Sequence, residues 1–159
     1  MSRLIEGERL TTLTPIIEEA SRIALTSTCQ KDKRGAVVYK NGQVLSSAAN
    51  GPVPPFICDG KTCYRFCGLI AMHAERSAIV RALEQGKDLS GASILHVRVN
   101  EVGEVQTSGP LRCEDCTGYM ARVKRKVSLE DVVLKQAGGW TAYEIYEADT
   151  VARRNREVK

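Results

Sequence analysis

His73-Ala74-Glu75-Arg76-Ser77-Ala78-Ile79 is followed, forty positions after the histidine, by Cys113-Glu114-Asp115-Cys116. Together the two stretches offer one imidazole and two thiolates, the donor types that zinc prefers. The carboxylate of Glu75, two residues past the imidazole, is not needed as a ligand. Three protein ligands with the fourth position open distinguish a catalytic zinc site from a structural one, and Glu75 is then the base beside it. A purely structural site, with a distant fourth ligand, has no use for that carboxylate.

Local geometry supports the reading. Cys113 and Cys116 are three apart, so on a helical turn both sulfurs share a face. His73 and Glu75 are two apart and diverge on a regular helix, which at a first turn lets one face a metal and the other border its water. A helix N-terminus also lowers a cysteine pKa toward the thiolate that zinc requires. Bound zinc brings the pKa of its water near 7. One carboxylate can then act as both base and acid.

Working outward, Thr14-Pro15 reads as an N-cap and a first-turn proline, with Ile16, Ile17, Ala20, Ile23 and Ala24 as one apolar helical face. A strand follows around Ala36-Val37-Val38-Tyr39, then Asn41-Gly42, a hairpin signal, then a return strand from Gln43 to Ala49. Asn50-Gly51-Pro52 ends it. A helix is expected from near Ala71 to Gln85, stopped by Gly86, with Ile79 and Leu83 in the core. Ser93 to Asn100 is a third strand, and the turn at Glu101–Glu104 suggests a small hairpin extension into Val105. A helix should run from Cys113 through Met120 and Val123. Strands at Glu130–Leu134 and Thr141–Tyr146 flank Gly138-Gly139, a turn short enough to favour an antiparallel pair. Helix, strand, strand, helix, strand, helix, strand, strand is the order of an α/β protein with a single sheet covered by helices.

The 159 residues amount to one domain, and 43% hydrophobic content is enough for one core. No stretch approaches the roughly 18–20 apolar residues of a membrane span. Met1–Leu13 has no apolar run of the secretory kind, so a cytoplasmic protein is expected. In that compartment six cysteines read first as metal ligands. A net charge of +4 suits an anionic ligand such as a nucleotide without demanding a nucleic acid. Lys124-Arg125-Lys126 reads as a solvated helix face, and Arg153-Arg154-Asn155-Arg156 as part of a frayed basic tail from about 148.

Gly35-Ala36-Val37-Val38, Asn50-Gly51-Pro52, His73 through Ile79 and Pro110 through Cys116, in this order, resemble the zinc-dependent cytidine and deoxycytidylate deaminase superfamily over roughly Lys31 to Met120. The resemblance implies a single mixed five-stranded sheet sandwiched by helices. It implies zinc on His73, Cys113 and Cys116, and Glu75 shuttling protons while the ring amine leaves as ammonia. It also implies that the backbone of Ala74 lines the base pocket and that Asn50 bonds the substrate sugar or base; as a plain turn residue, Asn50 would only end a strand. The central region is most similar to deoxycytidylate deaminases, which act on free nucleotides and are oligomeric, so a homo-oligomer is expected. Those enzymes often carry a phosphate-binding arginine just after the Asn-Gly-Pro turn. Here Val53-Pro54-Pro55-Phe56 stands in its place, and Arg65 is the candidate to replace it.

Cys58, Cys63 and Cys67, with Cys29 folding back toward them, form a second cluster. The resemblance offers a structural zinc there; the alternative is a set of ordinary thiols. His96 reads as a strand residue facing water or a hydrogen-bond partner, with metal ligation as its other role. Two alternatives stand beside deamination of a cytosine nucleoside or nucleotide. One is deamination of a base within tRNA or single-stranded DNA, for which aromatic content of only 5% is a poor basis and Trp140, Tyr143, Tyr146 and the arginine-rich tail the single hint. The other is a zinc-stabilised nucleic-acid-binding module without catalysis, against which Glu75 argues.

Overall fold

Asn41 and Gly42 both adopt positive φ, 51° and 73°, as the tight turn between two antiparallel strands requires. In the computed structural model, which describes residues 1–61 and 69–158, this turn joins β2 (Lys33–Lys40) to β3 (Gln43–Ala49), with Lys40 opposite Gln43. The remaining strands are β1 (Arg3–Leu4), β4 (Gly51–Pro52), β5 (Ala71–Met72), β6 (Ser93–Val99), β7 (Val105–Gln106), β8 (Asp131–Gln136) and β9 (Gly139–Glu144). Four helices are described: α1 (Gly7–Ala24), α2 (Ala74–Glu84), α3 (Glu114–Lys124) and α4 (Ile145–Glu157).

The sheet runs β1-β9-β8-β6-β2-β3, with β7 also paired to β6. Its five long strands are those expected from the sequence, and β7 is the hairpin extension expected at Val105; β1, two residues long, was not expected, and the total is seven. β6 and β8 are parallel and their connection carries α3, whereas β8 and β9 are antiparallel across the Gly138 turn. β4 and β5 form a separate two-stranded ribbon.

Both faces of the sheet are covered, so β2 buries four consecutive residues, Gly35 to Val38. Alternate side chains divide the core. Val37, Leu95, Val97 and Val133 pack with α1 on one face. Ala36, Val38, Ile94, Val132 and Leu134 pack with α2, α3 and α4 on the other. Small residues set the layer spacing. Ala74, Ala78 and Ala82 bring α2 close to the sheet, and Ala148 of α4 joins the same cluster. At Gly35 a Cβ would lie 2.3 Å from the carbonyl oxygen of Ala20, so α1 rests directly on the β2 backbone.

Several expectations are corrected. α1 begins at Gly7, not at Thr14, and Pro15 lies inside it. The ring is exposed, so the carbonyl left without its helical partner, four residues back at Thr11, also faces solvent. Leu10 and Leu13 extend the apolar face by two turns. α2 starts at Ala74 because Ala71–Met72 is committed to pairing with Gly51–Pro52. Leu83 is 46% exposed; Ala78 and Ala82 take the buried stripe beside Ile79. The last strand ends at Glu144, whose carboxylate caps α4 by accepting from the amides of Tyr146 and Glu147. The stretch from about 148 is therefore helical, with Ala148 and Ala152 facing inward. Among the described residues no helix is long and apolar enough to cross a membrane.

Candidate active site

Two helix N-termini meet on the three-helix side of the sheet. His73 is the N-cap of α2 and Cys113 the N-cap of α3. The Cys113 sulfur accepts from the amide of Cys116, an ordinary capping interaction that also brings the two sulfurs onto one side. His73 Nδ1 lies 2.9 Å from Cys116 Sγ and 3.2 Å from Cys113 Sγ. The three ligand atoms fall within 4.8 Å of one another, and they form the one such group of three or more among the described residues.

The donor set fits zinc. One imidazole and two sulfurs are its preferred ligands, and both sulfurs sit at the positive end of a helix dipole. The Cys113 thiol is pushed down to about 5, chiefly by its hydrogen bond with Cys116 and against burial, with His73 helping. The bond to Cys113 and burial push the Cys116 thiol up. His73 is raised, first by its bond to Cys113.

Glu75 stands in the first turn of α2 with its side chain 15% exposed. Oε2 lies 3.8 Å from Cys116 Sγ. Burial raises the carboxyl, but His96, its own backbone amide, His73 and Arg34 outweigh burial and hold it below the usual value. It is thus a carboxylate at neutral pH, facing the sulfur pair. Both groups open into a cavity of about 370 Å³, whose floor includes Ala74, Glu75 and His96. A volume in this range suits a small molecule.

No family model matches the chain, and no curated protein matches it in sequence. Solved structures do match. The dCMP deaminase from the cyanophage S-TIM5, in complex with dCMP and dUMP, superposes with a TM-score of 0.56 at 20% identity, over 94% of this chain and 94% of that one. Its apo form gives 0.54 at 20% identity, over 79% and 86%. The chain has the cytidine and deoxycytidylate deaminase fold.

The expected substrate residues fare differently. Ala74 is buried at the first position of α2 and lines the cavity. Asn50 lines it too, yet most of its side chain is used to hold the chain in place. Oδ1 accepts from the Ser27 hydroxyl at 2.7 Å and the Arg34 amide at 2.9 Å, and Nδ2 donates to the Asp32 carbonyl at 3.0 Å. The turn role of Asn50 is therefore real and joins the end of β3 to the start of β2. Arg65 lies outside the described residues. So do Cys63 and Cys67, whereas Cys58 is buried and Cys29 half-buried on the cavity wall, with the Gln30 amide donating to Cys58 Sγ at 3.3 Å.

Three cationic residues that the sequence did not single out border the cavity: Lys31, Arg34 and Arg112. Arg34 and Arg98 share the single carboxylate of Asp32, at 3.3 and 3.0 Å. His96 is buried beside Glu75 and is not in the ligand group. The period of two in β6 was its signal, since Ile94 and His96 must share a face. Two of the basic C-terminal residues are engaged as well. Arg153 pairs with Asp149 and Glu114, and Arg156 with Glu114.

Proposed function

We propose that this chain is a zinc-dependent hydrolase that deaminates a free cytosine nucleotide, converting dCMP to dUMP and ammonia. The observation that carries the proposal is the Glu75 carboxylate, mostly buried in the cavity floor beside the His73, Cys113 and Cys116 group. Zinc on those three residues would supply a water activated at neutral pH. Glu75 would move two protons: one from the attacking water to the ring nitrogen beside the amine as oxygen bonds the ring carbon, and a second from the hydroxyl so added to the amine, which leaves as ammonia when the carbon–nitrogen bond breaks. Ala74 borders the base, and the second amide hydrogen of Asn50 is the group we assign to the sugar. Lys31, Arg34 and Arg112 favour a phosphate over an uncharged nucleoside.

Deamination inside a nucleic acid has less support, because Arg153 and Arg156 of the C-terminal stretch are turned onto Glu114 and Asp149. Glu75 speaks against a non-catalytic zinc module. We also propose a homo-oligomer. Ile57 and Leu69, each 84% exposed and next in sequence to the cavity-lining Cys58 and Ile70, are apolar side chains that a second copy would cover. Ammonia release from zinc-loaded protein, tried with dCMP, deoxycytidine, cytidine, adenosine and a cytosine-containing single strand, tests the proposal. Turnover of dCMP well above deoxycytidine is expected. Activity confined to the strand would overturn it.

A further inference from the structure

His96 sits at the centre of the sheet, opposite Ala36 on β2 and Leu134 on β8, and is 6% exposed. The core on this face is otherwise built largely from apolar residues, among them Ile94, Val132 and Met120. An apolar residue would fill the place at lower cost, since a buried imidazole must find partners for both nitrogens. His96 has two such groups in view. Nδ1 lies 3.4 Å from the Ser108 hydroxyl, and Nε2 lies 3.8 Å from Glu75 Oε1.

Burial lowers the His96 pKa, so the ring is neutral near pH 7, with one donor and one acceptor nitrogen. A carboxylate can only accept, whereas a serine hydroxyl can donate. The favoured arrangement therefore has Ser108 donating to Nδ1 and the ring proton on Nε2, directed at Glu75. At 3.8 Å this is a dipole aimed at a carboxylate rather than a full hydrogen bond. It acts on one oxygen only. The other, Oε2, faces the Cys116 sulfur.

On the deaminase reading, we infer that His96, oriented by Ser108, is a positioning residue that holds Oε1 of Glu75 and so keeps Oε2 turned toward the ligand group. The two oxygens of the proton shuttle then have separate tasks, one anchored and one working. A misplaced shuttle loses rate rather than affinity, because a shift of about 1 Å in a reacting group can cost about 10²-fold.

The test compares His96→Leu, which keeps bulk without polarity, with His96→Gln, whose amide places a donor near the Nε2 position. In His96→Leu, zinc content and KM for dCMP should stay within about twofold of wild type while kcat falls about 10²-fold. His96→Gln should recover about tenfold of that loss. A crystal structure of His96→Leu should show the Glu75 side chain moved from its wild-type rotamer. Unchanged kcat in His96→Leu, a loss confined to KM, or His96→Gln no better than His96→Leu would overturn the inference. If His96→Leu does not fold, Ser108→Ala decides: a fall in kcat at constant KM supports the orienting chain, and an unchanged kcat overturns it. Wild-type protein inactive on every nucleotide would instead sink the deaminase reading itself, an outcome separate from an active wild type that is indifferent to His96.

Discussion

Asn155, in the last helix, donates its side-chain amide to the carbonyl oxygen of Leu111, 2.8 Å away and two residues before Cys113. The same helix places Asp149 to accept from the Thr117 hydroxyl at 3.0 Å, and Arg153 and Arg156 against Glu114. The C-terminal helix thus grips the Cys113–Cys116 turn from several points. Groups that orient metal ligands commonly contribute 10–100-fold to metal affinity. Asn155→Ala is expected to weaken zinc binding about tenfold, measured by competition with a chromophoric chelator. Unaltered affinity would mean that the turn holds its shape without the helix.

The positive side of the cavity makes a separate prediction. Arg112 is exposed, adjoins Cys113 and lines the cavity. A hydrogen bond to a charged group contributes about 1.5–3 kcal/mol, the lower figure corresponding to roughly tenfold. Arg112→Ala should raise KM for dCMP about tenfold and leave KM for deoxycytidine unchanged. An equal rise for both would place the phosphate elsewhere.

The contact between α1 and β2 is testable through Gly35. An added Cβ would meet the Ala20 carbonyl at 2.3 Å and the Ala24 amide nitrogen at 2.9 Å, both backbone atoms that cannot swing aside. Gly35→Ala should cost about 3 kcal/mol, read as a lower urea midpoint at unchanged slope. A midpoint equal to wild type would show that the helix can lift off the sheet without penalty.

Glu144 links stability to pH. Its carboxylate caps α4 and pairs with Lys124 at 2.9 Å. Burial raises its pKa, but the bond from Lys124 and the two backbone amides outweigh that and leave it lowered. A depressed folded pKa stabilises above the unfolded value, and that contribution is lost as pH falls through the folded one. Glu144→Ala should cost about 1 kcal/mol at pH 7, the usual worth of a cap. The difference from wild type should shrink on acidification below the ordinary glutamate range. A difference constant with pH would assign the effect to packing.

The sequence made some of this legible because single residues there carry unambiguous geometry. Asn41-Gly42 admits few turns, and a His-x-Glu with a distant Cys-x-x-Cys admits few metal sites. The five central strands followed from apolar runs long enough to show a period. What was missed is what has no such mark. β1 is two residues long, too short for any period, whereas the equally short β7 was marked by the turn before it. The start of α1 has no side-chain cap at Glu6, while Thr14-Pro15 imitates one. Ala148 and Ala152 bury α4 through small side chains, so its arginines dominated the reading. Asn50 and His96 were visible as residues, but their partners come from Ser27, Asp32, Arg34, Glu75 and Ser108, positions that only the folded chain brings together.

The most direct test of the account is ammonia release from dCMP by protein carrying one zinc, with wild type and Glu75→Gln assayed side by side. Wild type is expected to turn over, and the variant to keep its zinc and lose about 10²-fold or more in rate. Turnover that survives in Glu75→Gln, or zinc lost with the carboxylate, would contradict the role of Glu75 as the proton shuttle beside the metal.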